Sequence, residues 1–170
     1  MGLVTMGAAR LMAAVTLAPW SHPLAFQPLL GWHTGASGTT PSAYLGPGNH
    51  PGAVESAAWT AMNVRYRNAA TADPPNKTLS HLPPNGVIVW AVIYQPAQND
   101  QPPVSLDLGK AQHFDCCDGV GVVGGDDELA GSGPNGAYSV IIRIYFGSRP
   151  TAALRTEAQA ALKQLKLPAR

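Results

Sequence analysis

The chain has 170 residues and a formal net charge of +1, with 12% charged and 45% apolar residues. A charged fraction near half the usual ~25% excludes a charge-rich disordered chain and a coiled coil, and the near-neutral balance gives no electrostatic reason to bind nucleic acid. The 18 glycines and 16 prolines exceed average usage but stay below low-complexity levels, so one ordered domain with long irregular segments is expected.

The N-terminus places Arg10 before an apolar run, Leu11 to Ala18, that ends in Pro19-Trp20. Such a run resembles the h-region of an export leader, with Thr16-Leu17-Ala18 as a small-x-small cleavage site and Pro19 as a poor neighbour to it. The competing expectation is an unstructured N-terminus that is retained. No stretch reaches the ~20 apolar residues that a membrane-spanning helix requires. Residues 1–30 are therefore assigned to a leader-like or disordered segment. Phe26, Leu29, Leu30 and Trp32 form an apolar cluster that either docks on the domain or ends the leader. Residues 31–56, rich in Gly, Pro and Ser, read as a linker, and residues 57–170 as a single domain.

Within that domain, Ala58 to Arg67 alternates, with Met62, Val64 and Tyr66 opposed to Asn63, Arg65 and Arg67, as in a half-buried strand. Asp73-Pro-Pro-Asn ends it, because proline cannot donate to a ladder. Lys77 to Leu82 is short and helical at most. Asn85-Gly86 is a turn signal that launches Val87 to Tyr94, a continuous β-branched and aromatic run expected to be covered on both faces. Val104, Leu106 and Leu108 alternate with Ser105 and Asp107, which predicts a further half-exposed strand. A long Gly/Asp loop follows. Tyr138, Val140, Ile142, Ile144 and Phe146 then share one face of a strand, with Arg143 and Tyr145 on the other. Finally, Leu154, Ala158, Ala161, Leu162 and Leu165 form a stripe at helical period, capped by Ser148 or Thr151. Strands that do not alternate with long helices argue against a doubly wound sheet. The predicted fold is α+β, an antiparallel sheet of four or five strands with the C-terminal amphipathic helix on one face.

The segment Leu82-Pro-Pro-Asn-Gly-Val-Ile-Val-Trp, the strand Tyr138 to Gly147 and the closing Leu-x-x-x-Ala-Gln-x-x-Leu helix resemble small exported proteins of high-GC bacteria. The likeness spans roughly residues 57–168. It includes no catalytic motif, so it implies a shared fold and export, and no activity.

Gly119-Val-Gly-Val-Val-Gly124 matches the dinucleotide pattern in letters. The following Gly125-Asp-Asp-Glu cannot open a long helix and would repel a pyrophosphate, so the match is treated as chance. Ser80-His81 lacks a nucleophile elbow. A metal site is the stronger candidate: His113, Asp115, Cys116, Cys117, Asp118, Asp126, Asp127 and Glu128 cluster in one segment, carboxylates suiting Ca²⁺ and His113 with thiolates a softer ion. Adjacent cysteines are poorly spaced for zinc, and the flanking Asp115 and Asp118 disfavour a reactive thiolate. A solvated acidic loop is the plainer reading. A second candidate is an anion or ligand face built from Arg65, Arg67, Arg143 and Tyr145, with Asn63, should their strands be neighbours. Trp90 is expected in the core, and Trp59 less firmly so.

With no competent catalytic set, the leading expectation is a non-enzymatic, exported or envelope-associated domain that binds a protein or envelope component and needs no cofactor. A metal-dependent enzyme using residues 113–128 is the alternative. A cytoplasmic structural or regulatory module is the reading that follows if the N-terminus is retained.

Overall fold

The computed structural model describes residues 25–27, 29–37, 54–64, 79, 81–95, 97, 101–113 and 126–168. Its strands are β1 (Ala25–Phe26), β2 (His33–Ser37), β3 (Val54–Met62), β4 (Val87–Gln95), β5 (Gln112–His113), β6 (Asp126–Ser132) and β7 (Ser139–Phe146). Helix α1 (Ala152–Gln164) and β8 (Leu165–Lys166) close the chain. Six strands form one antiparallel sheet in the order β2–β3–β4–β7–β6–β5, and β1 pairs separately with β8. The α+β architecture is as the sequence indicates, with one or two more strands than expected.

Strand β4 is the centre of the molecule, and all nine of its residues are buried. Val87, Val89, Ala91 and Ile93 face α1, where they meet Val140, Ile142, Ile144 and Phe146 of β7 and Leu154, Ala158, Ala161 and Leu162 of the helix. Ile88, Trp90, Val92 and Tyr94 face the other way, against Ala58, Met62, Leu79 and Tyr145. Each fully buried Val, Ile or Leu contributes about 1.5–3 kcal/mol, so this strand outweighs any other element. The two apolar runs lie side by side and antiparallel: Val87 is opposite Phe146 and Tyr94 opposite Ser139.

Helix α1 starts where Thr151 leaves the extended region and its Oγ1 accepts from the Leu154 N–H at 3.2 Å. Thr151 rather than Ser148 is thus the cap. The apolar stripe is buried along its length, ending at Leu165.

Four sequence readings are refined or corrected. Near the end of the segment assigned to residues 1–30, β1 pairs with β8, and Phe26 and Trp32 are core residues, so of the two readings left open for this apolar cluster it is docking on the domain that is seen. Phe26 stacks 6.4 Å from Trp32 and lies 5.4 Å from Trp59, which burial makes worthwhile despite the segment's lack of periodicity. The segment assigned to a linker supplies edge strand β2 and the start of β3. The strand predicted over 58–67 ends at Met62. There Asn63 Oδ1 accepts from the Val87 N–H at 2.7 Å and Asn63 Nδ2 donates to the Asn85 carbonyl at 3.0 Å, binding the chain to the 83–86 turn instead of extending the ladder. Tyr66 lies outside the described residues.

The fourth correction concerns residues 104–108, which alternate as a strand would but lie extended outside the sheet and then enter a 3₁₀ turn at Leu108–Lys110. Gln159 of α1 serves this segment as a neighbouring strand would: its Oε1 accepts from the Leu108 N–H at 2.7 Å and its Nε2 donates to the Leu106 carbonyl at 2.9 Å. Leu106 and Leu108 still pack on the core.

Two tight contacts lock the sheet's ends. The turn at 83–86 passes against the end of β7, where the Gly147 N–H donates to the Gly86 carbonyl at 2.9 Å. A methyl group at Gly147 would run into the Pro83 carbonyl oxygen, which is backbone and cannot swing aside. Gly147→Ala should therefore lower the unfolding free energy by about 1–3 kcal/mol, read from urea denaturation. At the opposite end, buried Tyr138 donates its hydroxyl to the Pro168 carbonyl at 2.7 Å. Burial pushes the Tyr138 pKa up to about 12 from 10.0. Because the folded-state value is raised, the contribution is complete below about pH 10 and is lost as pH rises from there through about 12. Stability measured across this alkaline window should fall more steeply for the parent chain than for Tyr138→Phe.

Candidate functional site at the β6 edge

Strand β6 occupies part of the stretch expected to be a solvated acidic loop. Its sequence, Asp126-Asp-Glu-Leu-Ala-Gly-Ser, hides its period because only Leu129 is a buried apolar residue. Ladder pairing to β7 defines its faces, Asp127 lying opposite Ile144 and Glu128 opposite Arg143. Successive side chains of a strand point to opposite sides, and the two acids act accordingly.

On the helix side, Asp127 Oδ2 accepts from Arg155 Nη1 at 2.7 Å, and the Arg155 guanidinium lies 4.8 Å from the Phe146 ring centre. This pair ties α1 to the sheet margin. On the far side, Glu128 Oε2 accepts from Arg143 Nε at 2.9 Å, and Arg143 lies 5.4 Å from the Trp90 ring centre. Thr60, Trp90, Arg143, Glu128 and Gln112 stand in one transverse row, one from each of five strands. Burial opposes the Arg143 charge, but hydrogen bonds and attraction from Glu128 and Tyr145 outweigh it, so its pKa is raised.

The sequence-derived metal set is divided by this geometry. His113 lies opposite Asp127 on the helix side, whereas Glu128 points through the other face. Among the described residues, no three His, Cys, Asp or Glu side chains gather closely enough to hold an ion. Asp126 is placed by its backbone at the start of β6, while its side chain and Asp115, Cys116, Cys117 and Asp118 fall outside the described residues, as does Gly119–Gly124. Of the proposed anion face, Arg143 and Tyr145 share one side of β7, with Tyr145 buried and Arg143 engaged by Glu128. β3 and β7 are separated by β4 rather than adjacent. Arg65 and Arg67 lie outside the described residues, and so does Ser80, the neighbour of exposed His81.

A different constellation sits at the outer margin of β6. The chain passes this margin twice: Val104 donates to the Ser132 carbonyl and the Ser132 N–H donates to the Pro102 carbonyl, both at 2.8 Å, and Gln112 then pairs opposite Glu128. Between these two crossings residues 105–111 arch away, with Asp107 Oδ1 accepting from the Gly109 N–H at 3.0 Å to hold the bend. The arch leaves a notch of about 360 Å³ bordered by Pro103, Ser105, Lys110, Gln112, Glu128 and Ala130. A more open hollow of about 670 Å³ adjoins it beside Gln101, Ser132 and Asn135. None of the notch's polar residues except Glu128 stands out in the sequence. The available clue was Pro102-Pro103 followed by the Asp107-Leu-Gly turn, which marks an irregular connection rather than the strand its apolar alternation suggests.

The two acid pairs should differ in weight. Arg143 and Glu128 side chains are only 20% and 22% exposed, whereas Arg155 is 45% exposed. Glu128→Gln is expected to destabilise by about 1–3 kcal/mol through the half-buried cation it leaves, and Asp127→Asn by about 0–1 kcal/mol. Urea unfolding of the two variants checks the order. No protein-family model, curated protein or solved structure matches this chain.

Proposed function

We propose that this chain is an exported or envelope-associated binding domain, not an enzyme, which meets its ligand at the outer margin of β6. The observation that carries the reading is the notch itself. It is concave, and its rim of Ser105, Lys110 and Gln112 stands on a frame fixed by the ladder and by Gln159. Its volume lies at the low end of the ~300–1,000 Å³ range of small-ligand sites. The acids of β6, by contrast, serve as separate structural ties on opposite faces. Export rests on the leader-like run Leu11 to Ala18 behind Arg10. Every described element lies C-terminal to that run, β1 at Ala25–Phe26 being the first of them.

Two measurements test this reading. The mature protein recovered from culture should have lost Met1 and begin upstream of Ala25 by N-terminal sequencing. Retention of Met1 in a cytosolic fraction would overturn the export half. Purified chain should give the same Tm after chelation as after Ca²⁺ or Zn²⁺ loading, and show no turnover of p-nitrophenyl acetate or p-nitrophenyl phosphate in either state. Metal-dependent turnover abolished by Asp127→Asn would establish the enzyme instead.

A further inference from the structure

We infer that the β6 notch binds the C-terminal end of a peptide chain, pairing its last backbone amide with Ala130 and its carboxylate with Lys110. This rests on the reading of the notch as the ligand site and goes on to name the ligand class.

The argument starts from the parity of a strand's backbone groups. Both the N–H and the C=O of Ser132 point outward, the N–H donating to the Pro102 carbonyl and the C=O accepting from the Val104 N–H. Residues two and four positions back along the strand point the same way. Glu128 meets its outward partner in Gln112. Ala130 lies between them, is exposed, and among the described residues has no partner for its outward N–H and C=O. An exposed donor and acceptor side by side on a strand edge are what an added peptide backbone pairs with.

The notch also fixes which part of a peptide fits. Residues 102–104 occupy the β6 edge on one side of Ala130, and residues 112–113 occupy it on the other. A strand passing straight through would collide with both, so only a chain end can enter. Charge then chooses the end. Glu128 is already neutralised by Arg143 at 2.9 Å, whereas Lys110 makes no ion pair among the described residues. A carboxylate therefore gains a charge-assisted contact that an ammonium would not. Pro103 has no N–H and Ala130 only a methyl group, so neither side chain competes for the ligand's polar atoms.

The test uses the full chain, isotope-labelled, in an amide-shift titration with acetyl-trialanine as free acid, the same peptide as its C-terminal amide, and acetate alone. The free acid should shift the Ala130 and Gln112 amides saturably. The C-terminal amide and acetate should each bind roughly tenfold more weakly, the loss expected for one charge-assisted hydrogen bond or its backbone counterpart. Lys110→Ala, at an exposed position, should erase the preference for acid over amide. Ala130→Pro removes an N–H that is not part of the β6–β7 ladder, and should weaken the free acid to the level of acetate while leaving the β7 amide shifts in place. Equal binding of acid and amide, equal binding of acetate and peptide, an unaltered preference in Lys110→Ala, or no saturable shift with any probe would each overturn the inference. If the peptide fails while the chelation and N-terminal results stand, the binding-domain reading survives and only its ligand class falls.

Discussion

The fold depends on one strand being dry on both sides. A surface strand needs apolar residues at every second position, but Val87–Tyr94 is apolar or aromatic throughout, and every residue of β4 is buried. That requirement forces two layers of cover. Helix α1 supplies one, and Leu79, Leu82 and Val64 contribute to the other. With β4 central, the most apolar remaining strand, β7, is drawn to its side. The polar strands β2, β5 and the acidic β6 are left for the margins, where unmet backbone groups reach water.

That sorting explains how the acids of β6 find their partners. β6 lies next to β7, so its alternate acids reach Arg143 on one face and Arg155 on the other. The first pair is sheltered by Trp90 and braces the margin of the sheet; the second ties the helix down. Acids that are neighbours in sequence are thereby set on opposite sides of a layer one residue thick. The interesting geometry is then backbone geometry: the arch at 105–111 interrupts an otherwise continuous edge.

Elements driven by apolar burial were legible in the sequence. Val87–Tyr94, Tyr138–Phe146 and the Leu154–Leu165 stripe each carry a period that burial alone explains, and their mutual packing followed. What could not be read depends on specific polar contacts or on distant partners. β2 contains no apolar alternation and exists because β3 offers it a ladder. The Met62–Tyr66 alternation stops at Asn63 because a side-chain amide finds Val87 and Asn85 more than twenty residues away. Leu106 and Leu108 read as a strand because they are buried on one side, but the hydrogen bonds that a strand would make go to Gln159. Of the candidate site residues, Glu128 and Arg143 were singled out for chemistry they do not share with the rest of their proposed sets. Lys110 and Ala130 gave no signal, since a notch formed by the path of the chain leaves no motif.

The pairing of Ala25–Phe26 with Leu165–Lys166 joins the first and last described strands. A chain emerging from the ribosome N-terminus first cannot seat Phe26 until residue 165 has appeared, because half of its bed does not yet exist. Closure of so long a loop comes late and slowly. Until then Phe26 stays accessible, and in the finished fold β1 and β8 hold each other as a single latch.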